Sequence, residues 1–73
     1  MGIVGAEAIG EFGAALSLNP SHANAHAQRG FAYAELGHRD EAIADLERAK
    51  ALTDDPDIVA DLVAAIVAIR EPR

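Results

Sequence analysis

His22 and His26 stand four residues apart, a spacing that puts two imidazoles on one face of a helix, as in many pairs of zinc ligands. The surrounding sequence supplies little else for a metal. No glutamate follows His22 in the manner of a hydrolytic zinc helix, no third ligand is evident, and His38 lies beyond a turn. The plainer reading is one histidine at a helix start and one packed inside, so no metal is expected. The carboxylates Glu7, Glu11, Asp40, Glu41, Asp45 and Glu47 could pair for acid–base work only if two of them met in a cleft. Their spacing places them mostly opposite the apolar residues, which predicts a solvated face. Gly2, Gly5, Gly10 and Gly13 lack the strand and spacing of a phosphate-binding loop. The residue types therefore predict neither an enzyme nor a cofactor.

The elements that carry these residues are marked by their punctuation. "NPS" at 19–21 breaks the chain, with Ser21 as the expected N-cap of the second helix. Gly37 stands where a helix ends in a left-handed residue. "TDDPD" at 53–57 makes a second break, with Asp55 as cap and Pro56 in the first turn. No segment alternates like a strand. Four helices are predicted, near residues 4–18, 22–36, 39–52 and 57–70, joined by short loops.

Composition narrows the partners. Seventy-three residues make one small domain, and such a chain buries only about 60% of its unfolded surface. Half of the residues (51%) are hydrophobic but only three are aromatic, so the core must be thin and closely packed. A net charge of −6 argues against nucleic acid and against anionic membrane surfaces. The chain has no cysteine and shows no signal peptide, and its longest apolar run is too short to span a bilayer. A cytoplasmic protein with no membrane contact is expected.

The sequence also repeats itself. Glu7, Ala8, Ile9, Phe12, Ala15 and Leu18 return as Glu41, Ala42, Ile43, Leu46, Ala49 and Leu52, each pair 34 positions apart. Their spacing draws one helical stripe, expected to face inward. Gly30, inside a predicted helix, costs roughly 1 kcal/mol against alanine, so the missing side chain needs a compensating contact.

Residues 23 to 56 resemble one tetratricopeptide repeat: Gly30, Tyr33, Gly37, Ala42, Leu46 and Ala49 fall at its small and large signature positions. Residues 1–20 resemble the second half of a preceding repeat ending at Pro20, and 57–73 a following half-repeat or capping helix. The resemblance implies an all-α, solenoid-like fold of four antiparallel helices, one full repeat (21–56) between two halves. It explains Gly30 as the point where two helix backbones cross, with Ala42 opposite and Tyr33 and Leu46 filling the flanks. His26 and Arg29 depart from the pattern, standing where Trp and Leu are usual. The Arg29 guanidinium is expected to reach solvent or an acidic neighbour.

The resemblance further implies a non-enzymatic interaction module that grips a peptide or partner protein in a groove lined by first helices. Transferred by position, that groove comprises Asn24, Ala27, Phe31, Ala34 and Glu35, with Phe31 as the anchor. The alternative is that Phe31 packs on a helix of its own chain. The chaperone-tail clamp of some relatives is not supported, because Ala27 and Phe31 replace its Lys and Asn.

The last helix raises a separate expectation. Ile58, Val59, Leu62, Val63, Ile66 and Val67 cover about 180° at 100° per residue, more than one neighbouring helix can cover. The sequence therefore predicts self-association through this face, most simply as a dimer. A fragment of a longer repeat array would show the same apolar ends.

Overall fold

The computed structural model describes residues 5–71. Gly2, and the helix start expected at residue 4, lie outside the described residues. Four helices follow in order: α1 (Gly5–Leu18), α2 (Ala23–Glu35), α3 (Arg39–Leu52) and α4 (Pro56–Arg70). The expected boundaries agree within one residue, which is the ordinary uncertainty of a helix end. The described residues contain no strand.

Each boundary has a local cause. Gly37 adopts φ 81°, a left-handed conformation that glycine enters without a Cβ penalty, and it closes α2. Its N–H donates to the Ala34 carbonyl while that of His38 donates to Tyr33. Asp55 caps α4 by accepting from the Asp57 N–H at 2.9 Å, with Pro56 in the first turn. The start of α2 corrects the sequence reading. Ser21 is not the cap; its own N–H donates to Asn19 Oδ1 at 3.2 Å. The cap is His22, whose Nδ1 accepts from the Ala25 N–H at 3.2 Å. The Asn19 side chain has already organised the turn, which moves the helix start one residue later.

The helices pack in sequence: α1 on α2, α2 on α3, α3 on α4. The α2–α3 crossing is close. A Cβ built on Gly30 would lie 2.9 Å from Leu46 Cγ and 3.1 Å from the Ala42 carbonyl oxygen. Beneath it Ala42 and Leu46 are fully buried, at 0% exposure. The glycine is compensated as expected: two backbones approach until a methyl group will not fit, and dispersion and burial outweigh the propensity loss. On the far side of α3, Leu46 and Ala49 form one core with Leu62 and Ile66 of α4, joined by Ile43, Ala65 and Ile69.

One element of the expected stripe is not inward. Leu18, the partner of Leu52 in the 34-residue repeat, is 89% exposed. Leu16, absent from the repeated set, is the buried residue of that turn.

Candidate functional site

The polar centre of the structure lies at the α2–α3 seam. Arg29 donates from Nε to Asp45 Oδ2 at 2.7 Å and from Nη2 to Asp45 Oδ1 at 2.9 Å, the parallel two-bond arrangement that guanidinium and carboxylate form best. Asp45 is only 6% exposed, which corrects its assignment to the solvated face. A helical stripe reports which residues are apolar; it cannot show that α2 delivers an arginine sixteen positions away. The hydrogen bond that Arg29 donates to Asp45 holds the Arg29 pKa above the usual arginine value, opposed by burial and helped by charge attraction.

His26 is buried beside the same carboxylate, with Nδ1 at 3.4 Å from Asp45 Oδ1 and Nε2 at 3.0 Å from the Pro20 carbonyl. The shorter contact is the better hydrogen bond, so Nε2–H donates to Pro20. His22 uses Nδ1 as a helix cap, and His38 packs edge-on against Tyr33 with ring centroids 6.0 Å apart. All three histidines thus have structural partners. Among the described residues, no group of three or more His, Cys, Asp or Glu side chains is arranged around a common point. The Asp45 cluster is an internal clamp: no buried side-chain nitrogen or oxygen among the described residues is left without a partner.

The expected groove residues are on α2 and border three clefts. Phe31 and Glu35 line a cleft of about 270 Å³ between α1 and α2, opposite Ala8 and Phe12 and beside Gln28. Asn24 and Ala27 face a different cleft, of about 200 Å³, walled by Ala49, Ile58 and Leu62. Ala34 borders a third with Gly37 and Ile69. Phe31 is 44% exposed, so it stands half in its cleft and half in solvent. Ala8 and Phe12 were not expected in this site. The signal was present, because their mates Ala42 and Leu46 sit in the close α2–α3 crossing, yet a stripe read as inward conceals that one of its sides is open.

The α4 residues divide likewise. Leu62 and Ile66 are buried against α3 and cannot also form a self-association surface; Val59 is half-buried. Ile58, Val63 and Val67 remain outside, the last two at 41% and 49% exposure. The half-cylinder of apolar residues is thus divided: its middle closes the core, with Ile58 open at one edge and Val63 and Val67 at the other. No helix among the described residues is long and apolar enough to cross a membrane.

Successive antiparallel helices, a glycine at the tight crossing and a left-handed glycine after the first helix of the pair define a helical-repeat scaffold. The family model of the tetratricopeptide repeat matches residues 5–66, and the chain belongs to that family. No curated protein and no solved structure matches the chain. Tetratricopeptide repeats generally mediate protein–protein interactions and typically have no enzymatic activity.

Proposed function

We propose that the chain is a non-enzymatic, cytoplasmic protein-interaction module, one repeat flanked by two halves, that takes an apolar segment of a protein partner in the α1–α2 cleft. The observation that carries this reading is Phe31. A half-exposed aromatic ring stands beside an open apolar cleft in a chain that has only three aromatic residues. Aromatic side chains in such settings dominate interface energetics once a partner excludes water. Glu35 and Gln28 give the cleft a polar rim. The test is selection of displayed helical and extended peptides on the immobilised chain and on Phe31→Ala, with thermal melts of both. The reading expects apolar peptides that need Phe31 and a melt close to the parent's. Equal enrichment on both proteins, or collapse of Phe31→Ala, would overturn it.

A second reading is favoured by the open edge of α4. Val63 and Val67, one turn apart, present an apolar strip that a second copy could cover, giving the homo-oligomer that the sequence suggests, with a dimer as its simplest form. Sedimentation at two concentrations tests it; one sharp monomer boundary at both would refute it.

A further inference from the structure

The 34-residue repeat relates more than α1 and α3. Carried along the chain, it lays α2 on α4, pairing His26 with Ala60, Arg29 with Val63, Gly30 with Ala64 and Tyr33 with Val67. On α2 this is the side that meets α3: Gly30 against Leu46 and Ala42, Arg29 and His26 on Asp45. On α4 all four counterparts are exposed. The receiving side shows the converse. Ala42 and Leu46 of α3 are fully buried under α2 and, for Leu46, α4, whereas their mates Ala8 and Phe12 on α1 stand half-open on the cleft beside Phe31. The chain thus contains one closed α2–α3 pairing and the two separated halves of another. The plug is the outer face of α4, and the socket is the α1–α2 cleft.

We infer that the occupant of the α1–α2 cleft is α4 of a second copy of this chain, seated on α1 as α2 is seated on α3. The inference rests on the interaction-module reading and names its partner. One feature of the cleft agrees with it: Phe31 is 44% exposed there, whereas its mate Ala65 is half-buried against the core. The crossing would be less intimate than that of α2 on α3, because Ala64 carries the methyl group that Gly30 lacks and Phe12 is larger than Leu46. Plug and socket are different surfaces of the same molecule. The contact is therefore heterologous, and copies add head to tail instead of closing as a two-fold pair.

The experiment mixes two disabled copies of the full chain. Val63→Asp removes the plug and Ala8→Arg blocks the socket; Val67→Asp and Phe12→Asp repeat each lesion at a second position. Circular dichroism melts establish which variants remain folded. The parent is expected to grow in mass past the dimer as concentration rises. Each variant alone is expected to stay monomeric, and an equimolar mixture of one of each should form a 1:1 dimer that stops there, since only one intact contact remains. A dimer formed by the socket variant alone, with no gain on mixing, means α4 pairs with α4 and overturns the inference while leaving self-association intact. A parent that is monomeric at several hundred micromolar overturns both, and the peptide selection on Phe31 then reads the interaction-module proposal independently.

Discussion

Arg29 and Asp45 join α2 to α3 through two parallel hydrogen bonds, 2.7 and 2.9 Å long, over the glycine crossing that holds the same helices together. The pair is only partly buried on the arginine side, so its worth lies between that of a surface bridge and a sealed one. Removing Arg29 alone, as Arg29→Leu, leaves a nearly buried carboxylate without its guanidinium partner, and should cost about 2 kcal/mol. Asp45→Leu alone should cost a similar amount. The double variant Arg29→Leu/Asp45→Leu should recover most of the loss, since an apolar pair of adequate volume often replaces an ion pair without penalty. A thermodynamic cycle from urea melts measures the coupling. Losses that simply add would show the two side chains acting separately.

Gly30 and Gly10 make opposite predictions for the same substitution. At Gly10 a Cβ would meet nothing within 4 Å, and the repeat already carries the exposed Ala44 at the matching position. Gly10→Ala should stabilise by roughly 0.5–1 kcal/mol through helix propensity. At Gly30 the same methyl would fall 2.9 Å from a fully buried Leu46 that has nowhere to move. The propensity gain should be overwhelmed, for a net loss of about 1–3 kcal/mol. Comparing the two melting midpoints checks both, and a rise in the Gly30→Ala midpoint would mean that the crossing is looser than these distances.

Neighbouring residues on α4 should behave as core and surface. Ile66→Ala removes a side chain packed between α3 and α4 and should cost about 2–4 kcal/mol. Val67→Asp, one position on and half-exposed, should change monomer stability by no more than about 0.5 kcal/mol. Chemical denaturation of dilute samples, below any association, separates the two. Equal losses would contradict the division of the helix into an inner and an outer side.

These contrasts mark where the sequence was legible. Gly37, Asp55 and Pro56 act locally, through backbone conformation or a hydrogen bond within a turn, and each stands where its residue type predicts. Gly30 was legible for a different reason: a helix tolerates so poor a former only under a contact, and the repeat named the opposing face. Asp45 was not legible, because its partner arrives from another helix and an acidic residue beside a stripe looks solvated until that arrival. Phe31 and Asn24 lie on one face of α2 yet open into different clefts. Helical periodicity orders residues around one axis and carries no information on where the neighbouring axes run. The same limit explains Leu62 and Val63, adjacent in sequence and divided between core and surface.

Charge gives the sharpest check on the head-to-tail pairing. In the 34-residue repeat, Val63 is the counterpart of Arg29 and Glu11 that of Asp45. If α4 of one copy sits on α1 of the next as α2 sits on α3, Val63→Arg should place a guanidinium beside Glu11 and rebuild the Arg29–Asp45 contact between molecules. Glutamate is longer than aspartate by one methylene, within the reach of a flexible arginine. Val63→Arg should then associate at least as tightly as the parent and weaken as salt is raised, because the new pair lies at an interface edge open to screening. Adding Glu11→Gln should remove that salt dependence. Val63→Asp, with the same loss of apolar surface and the opposite charge, should be monomeric. A symmetric α4–α4 contact predicts otherwise, since Arg and Asp at position 63 would each face their own like charge across the two-fold axis, and both variants would dissociate. Sedimentation of the two variants at low and high salt distinguishes the cases, and a Val63→Arg protein as monomeric as Val63→Asp would show that Val63 does not meet Glu11.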